Sequence, residues 1–317
     1  MNSVFLNAAR LDFDGTLDFS PLEGTGRLTR HDDTRKEEIA LRVRDQQVVI
    51  TKELPLERGV IEAFPPSVKL ICEAGTGYNN IDVAAARERG ITVCNVPGYS
   101  TGAVAQLAIT LVLGLASSLA VQQRMLERRD LSNFHERLLV PHTEVAGKTL
   151  GVIGGGSIAT AVMKIARSLD MNILVCTRTA KNWEDPQIRA AALEELLAAS
   201  DYVSIHCPLT PETRHLISSE KLKLMKPSAC LVNTSRGAIV KEDDLVRALR
   251  EGTIAGAALD VQDPEPPETA SPLYAMDNVI LTPHIGWKAR ETRQRLIGLT
   301  AANIESFSRG SAVNLVN

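Results

Sequence analysis

The sequence predicts an α/β protein built from two doubly wound parallel-sheet domains. Three observations carry that prediction. Short β-rich runs alternate with helical patterns along nearly the whole chain. The strand runs are continuously apolar, as a parallel sheet covered on both faces requires. A chain of 317 residues is also long for a single core.

Taken in order, "SVFLNA" reads as the first strand and "LDFDGTLDFSPLE" as the loop after it, leading into a helix. "QVVIT", "VKLICEAG" and "ITVCNV" read as further strands, with the helix "NIDVAAARERG" before the last. After Pro97 a long helix begins, and its apolar stretch Leu107 to Val121 falls short of the roughly 20 residues that cross a bilayer. A second series follows: "TLGVIGGG", "NILVCTR", "DYVSIHCP", "ACLVNTS", "AGAALDV" and "NVILTPH". Gln187 to Ser200, rich in Ala, Glu and Leu, reads as one helix. The final helix, "RETRQRLIGLTAANIESFSRG", completes the first domain only if the chain returns to it. The crossings are placed near Pro97 and between Pro283 and Lys288. They give residues 1–97 plus 285–317 as one domain and 98–284 as the other, with a ligand cleft expected between them.

Composition narrows the class. Net charge is −3 and the pI about 6.1, with 44% hydrophobic and 23% charged residues, which points to neither a nucleic acid nor a membrane partner. The cysteines (Cys72, Cys94, Cys176, Cys207, Cys230) show no C-x-x-C spacing and read as reduced core residues of a cytoplasmic protein. No metal site and no signal peptide are expected.

The strongest physical motif is "TLGVIGGGSIATAVMKIARSLDMNILVCTRT". A strand runs into Gly154-Gly155-Gly156, and a helix starts at about Ser157. Gly154 permits the tight turn, Gly156 lets a pyrophosphate approach the backbone, and helix-start N–H groups bind its oxygens. Ala159 fills the third small position of this dinucleotide fingerprint, whose place between a strand and a helix, with another strand ending about 20 residues on, favours a bound dinucleotide over a ligand-free turn. The next strand ends Cys176-Thr177-Arg178, without the carboxylate that reads an unphosphorylated ribose. A hydroxyl and a guanidinium suit a 2′-phosphate, so NADP is expected ahead of NAD.

Three later segments place chemistry just past strand ends: "LVNTSRG" (Arg236), "ALDVQDPEPP" (Asp260, Glu265) and "VILTPHIGW" (His284). Singly, each residue fits a surface ion pair, a turn carboxylate or a strand cap equally well. Together, in this order and with the glycine turn, they resemble the D-isomer-specific 2-hydroxyacid dehydrogenases, over roughly residues 67 to 317. "EAGTGYNNID" and "NVPGYSTGAVAQLA" are similar to segments of that family. "HTEVAGKTLGVIG" with "HIGW" looks most like its glycerate dehydrogenase/hydroxypyruvate (glyoxylate) reductase subgroup.

The resemblance implies a flavodoxin-like substrate domain and a Rossmann NAD(P) domain. It implies that Arg236 holds the carboxylate and C2 oxygen of a small 2-oxo acid, with the backbone of Gly75, Thr76 and Gly77 completing the carboxylate site. His284 would donate the proton as hydride arrives, and Glu265 would orient the imidazole and favour its protonated form. Cofactor contacts would come from Gly154, Gly156, Ser157, Ile158, Thr177, Arg178, Cys207, Thr234, Asp260 and Gly286. His206 reads as structural.

A homodimer is implied through Leu119 to Val145, although that segment has Phe134 where the family usually has Trp. Gln106 replaces the usual Glu. The ending "SAVNLVN" leaves no appended regulatory domain expected. Two other classes compete. One is a nucleotide-sensing regulatory protein on the same fold, which the set Arg236, Glu265, His284 disfavours. The other is a phosphatase, suggested by Asp12-Phe13-Asp14-Gly15-Thr16-Leu17, which resembles a haloacid-dehalogenase nucleophile loop. Asn7-Ala8-Ala9-Arg10 ahead of it is not the buried strand that chemistry needs, so the likeness reads as coincidence.

Overall fold

A computed structural model describes residues 1–135, 137–178, 183 and 185–317. The chain divides into two compact units, Met1–Ser100 with Trp287–Asn317, and Thr101–Gly286.

The first unit is built on β1 (Ser3–Phe5), β2 (Leu28–Arg30), β3 (Val48–Thr51), β4 (Leu70–Glu73) and β5 (Thr92–Cys94). All pairings are parallel, in the order β2-β1-β3-β4-β5. β1, β3 and β4 are buried at every position, which explains their unbroken apolar runs. Both faces are covered. Phe5, Ile50 and Cys72 share a core with Leu296, Ile297, Ala301 and Ile304 of the Arg290–Ser308 helix, so the C-terminal helix does return to this sheet. Val4, Val49 and Ile71 pack on the opposite face with Ala85 and Ala86 of the Val83–Glu88 helix, whose start is capped by Asp82 accepting from the Ala85 N–H at 2.8 Å.

The second unit carries β6 (Thr149–Ile153), β7 (Asn172–Cys176), β8 (Ile188–Ala190), β9 (Tyr202–Ile205), β10 (Cys230–Asn233), β11 (Gly256–Leu259) and β12 (Val279–Leu281). They pair in parallel in the order β12-β11-β10-β9-β6-β7-β8. The order reverses between β6 and β9, and an open α/β sheet takes its ligand at the strand ends beside such a reversal. Ala159, Val162 and Ala166 of the Ser157–Ser168 helix are buried in one cluster with Ala105, Ala108 and Val112 of the Thr101–Ala116 helix. Small side chains on both helices allow that close approach.

Among the described residues no single helix is long and apolar enough to cross a membrane. Thr101–Ala116 and Leu119–Glu127 meet that test only as a pair bent by 61°.

One expected element differs in the structure, and two local features were not foreseen. Gln187 to Ser200 is not one helix: Ile188–Ala190 forms edge strand β8 on β7, and the helix begins at Leu193. Its Ala/Glu/Leu composition favours helix, but the open edge of β7 offers hydrogen bonds that override a weak propensity. β2 was not anticipated, since Leu28–Arg30 is short and only half-buried. In the Glu242–Arg250 helix Asp243 and Asp244 stand in the first turn, yet no side chain caps its start. Asp244 reaches across to accept the Ser219 N–H at 2.9 Å, at the start of the Ser219–Leu222 turn.

The Asp12–Leu17 loop is held from within. Asp12 accepts the Leu17 N–H at 3.1 Å, and Asp14 grips Arg293 through Nη2 at 2.6 Å and Nη1 at 3.0 Å. Arg293 is 2% exposed, so this acidic turn serves to neutralise a buried guanidinium.

Candidate active site

The glycine turn leaves β6 where the sheet order reverses. Gly154 has φ +116°, and a Cβ there would lie 2.5 Å from the His206 carbonyl oxygen, so only glycine fits. A Cβ on Gly155 would stand 2.8 Å from Thr177 Oγ1, whereas Gly156 faces open space. Gly156 is also the N-cap of the Ser157–Ser168 helix, and no side chain caps it. The helix start therefore presents N–H groups and the positive end of the helix dipole on its open side. Thr177 is half-buried and Arg178 exposed at the end of β7.

The neighbouring strand end supplies the facing wall. His206 bonds Ser204 Oγ through Nε2 at 2.8 Å, and burial pushes its pKa down to about 4, so it is a neutral structural imidazole. The Cys207 carbonyl accepts from Ser235 Oγ. Thr234 Oγ1 is buried without a partner. An unmet buried hydroxyl costs about 1–3 kcal/mol, and here it lies past β10 in the region expected to take the cofactor. The open Gly156 cradle, the uncapped helix start and the unmet Thr234 hydroxyl fit a dinucleotide.

β10, β11 and β12 deliver the other predicted residues. Asn233, 1% exposed, folds the loop carrying Arg236: its Oδ1 accepts the Ser235 N–H at 3.0 Å and its Nδ2 donates to the Arg236 carbonyl at 2.9 Å. Gly237 follows because a Cβ there would sit 2.1 Å from the Gln262 carbonyl, and this close approach brings the Arg236 loop against the Glu265 loop. Glu265 Oε1 accepts the Gln262 N–H at 2.8 Å, and Oε2 meets His284 Nδ1 at 2.7 Å. Burial acts to raise the Glu265 carboxyl, but the His284 hydrogen bond and field, the Gln262 N–H and the Arg236 charge together hold it below its ordinary value. An ionised Glu265 accepts, so Nδ1 carries the hydrogen and Nε2 is the nitrogen left to exchange a proton.

His284 sits at φ +51°, a conformation rare for a side chain of this size. Asp260 enforces it. This buried carboxylate accepts from Thr282 Oγ1 at 2.6 Å, Ile285 N at 2.8 Å and Gly286 N at 2.9 Å, and its own carbonyl accepts the His284 N–H at 2.9 Å. Asp260 and Gly286, expected as cofactor contacts, are also joined by the hydrogen bond that fixes the histidine turn, a role the sequence did not reveal. The one available signal was the polar Thr282 directly after an apolar strand.

Gly75, Thr76 and Gly77 belong to the first unit. Thr76 donates Oγ1 to the Val96 carbonyl at 3.0 Å, and the Gly75 carbonyl accepts the Val96 N–H at 2.8 Å. The loop is thus tied to the chain that leaves β5.

Residues 109–286 match the family described as D-isomer specific 2-hydroxyacid dehydrogenase, NAD binding domain. A hydroxypyruvate reductase of Blautia hydrogenotrophica is 37% identical over 310 residues, 96% of each chain. A glyoxylate reductase of Thermococcus litoralis is 40% identical, over 80% of this chain and 78% of that one. Among solved structures, an acyclic imino acid reductase in complex with NADPH and D-Arg superposes with a TM-score of 0.89 at 27% identity, covering 100% of both chains. The chain belongs to the D-isomer-specific 2-hydroxyacid dehydrogenase family: it is an oxidoreductase that uses a nicotinamide cofactor to interconvert a small 2-oxo acid and its D-2-hydroxy acid.

Proposed function

We propose that the chain reduces hydroxypyruvate or glyoxylate, with Arg236, Glu265 and His284 as its working residues and NADPH as the preferred reductant. The observation that carries this reading is the His284–Glu265 pair at 2.7 Å, on the same side of the sheet as Arg236 and the glycine turn. The cofactor supplies the hydride when bound. Arg236 holds the substrate carboxylate and C2 oxygen with planar, permanently charged donors. His284 gives its Nε2 proton to the C2 oxygen and recovers it in the reverse direction, while Glu265 fixes the ring and stabilises its cationic form. Gly75, Thr76 and Gly77 complete the carboxylate site through backbone N–H groups, a role that rests on the family resemblance.

Gly154, Gly156, Ser157 and Ile158 cradle the pyrophosphate, with Cys207, Thr234, Asp260 and Gly286 along the nicotinamide half. Thr177 and Arg178 favour a 2′-phosphate. The NADPH complex of the imino acid reductase supports that preference by kinship alone.

A homodimer through Leu119–Val145 is supported by the exposed Leu126, Leu131, Phe134, Leu138 and Leu139. A cytoplasmic location is supported by five free thiols. Mixing the protein with NADPH or NADH and either oxo acid tests the central reading. Loss of the reduced-nicotinamide absorbance is expected, faster with NADPH, and no turnover of any small 2-oxo acid with either cofactor overturns it.

A further inference from the structure

Past the ends of β3 and β4 lies a cluster of charges that the reaction above does not use. Lys52 is 2% exposed and Glu73 is fully buried. An ion in the interior persists only where partners meet it. The Lys52 ammonium pairs with Glu53 and stands 4.2 Å above the ring centre of Trp287. Glu73 Oε1 accepts the Glu53 N–H at 3.0 Å, and Oε2 accepts from Asn80 Nδ2 at 2.9 Å. Asn7 clamps the Lys52 backbone, donating to its carbonyl at 2.6 Å and accepting its N–H at 2.9 Å. Glu53 holds φ +59°, strain that its surroundings must over-determine. The cluster converges on Gly75, where a Cβ would lie 3.2 Å from Glu73 Oε1 and 3.3 Å from Lys52 Nζ.

We propose that Lys52 is a positioning residue for the substrate carboxylate, acting through the Gly75–Gly77 loop, with Glu73 as the opposing charge that weakens carboxylate binding when ionised. This rests on the loop's role in the preceding subsection. Lys52 holds the loop's first residue between two charges and supplies the positive field that a carboxylate there requires. Ionisation of Glu73 adds one negative charge directly behind the loop, where Glu53 is already paired with Lys52.

Burial pushes the Glu73 pKa up to about 7, against the pull of Lys52, Asn80 and the Glu53 N–H, and the Glu53 carboxylate adds to the push. The other titratable groups near it are Cys72, on its own strand, and Arg10, which faces Glu53 at 3.9 Å. A rise of pH through about 7 therefore places a carboxylate behind the loop and weakens its hold on an anionic substrate.

The test measures KM and kcat for hydroxypyruvate between about pH 6 and about pH 8, with the dissociation constant of the reduced cofactor read by its fluorescence. Lys52→Met is expected to raise KM by about tenfold, the scale of one charge-assisted contact, with kcat within about threefold and cofactor binding unchanged. Glu73→Gln is expected to abolish the rise in KM with pH that the unaltered protein shows. The proposal is overturned if folded Lys52→Met keeps its KM, or if Glu73→Gln keeps the same pH-dependent rise. Should Lys52→Met not fold, the Glu73→Gln profile decides alone. Absence of 2-oxo acid turnover in the unaltered protein overturns the functional reading itself, a different outcome from normal turnover with an unmoved KM.

Discussion

Asp14 and Glu265 are both carboxylates in loops, each paired at short range with a basic side chain: 2.6 Å to Arg293 Nη2 and 2.7 Å to His284 Nδ1. In sequence both turns suggest acid–base chemistry. Their partners separate them. A guanidinium does not give up its proton in a protein, and the donors of Arg293 are committed to Asp14, the Leu11 carbonyl and the Lys288 carbonyl while its plane stacks 4.1 Å over Phe13. His284 is held through Nδ1, and its Nε2 has no protein partner among the described residues. One pair closes a structure; the other is left with a proton to exchange.

Substitutions can break or sharpen this contrast. The largest effect is expected at the second pair. His284→Ala should lower turnover by roughly 10² to 10⁴, the usual scale for losing a general acid–base group, while cofactor binding persists. Purified variant protein with near-normal kcat would reject the assignment.

Next comes cofactor choice, which tests whether the glycine turn serves the same chemistry. Arg178→Ala should cut kcat/KM for NADPH by about 10- to 100-fold and leave NADH use nearly unchanged, because only the former has a 2′-phosphate to meet. Thr177→Asp should go further and invert the preference. An unmoved ratio of the two kcat/KM values after Arg178→Ala would end the NADP assignment.

A smaller change probes Glu265. Its carboxyl is held below its ordinary value, so it stays anionic across the working range and favours a protonated partner. Glu265→Gln removes that charge, and the pH above which 2-oxo acid reduction declines should move downward. A decline at the original pH would mean that another group titrates.

The smallest effect on activity is expected at the first pair. Arg293→Ala should lower Tm by roughly 5 °C, since a buried, fully bonded side chain is lost, yet leave kcat/KM within about threefold. A catalytic collapse with unchanged Tm would reverse the comparison drawn above.

Much of this was legible because the second unit's central strands are buried along nearly their whole length and the predicted residues follow their ends. Apolar runs such as "LGVI" and "AAL" marked the strands, and Arg236, Glu265 and His284 follow three of them in order. Legibility failed where tertiary context decided. Ile188–Ala190 is a strand only because β7 has an open edge, and Asp244 caps a turn 25 residues away. Lys52 and Glu73 went unread because their meaning comes from the pairing of β3 with β4, which sets Thr51 beside Glu73 and so brings Lys52 near it. The clamp made by Asp260 was equally hidden, because its three donors come from the loop after the next strand and only the fold brings them to its oxygens.

The 2.8 Å that would separate a Cβ on Gly155 from Thr177 Oγ1 has a practical consequence for anyone redesigning cofactor preference. The residue proposed to discriminate between cofactors and the turn proposed to seat their shared pyrophosphate occupy adjoining space. A larger side chain at position 177 presses on the turn as well as on the ribose, so one substitution risks trading selectivity for affinity towards both cofactors. A mutant library varying position 177 alone would sample mostly that trade-off. Varying it with position 178, which is exposed and has room for a new group, gives the search a route around the collision.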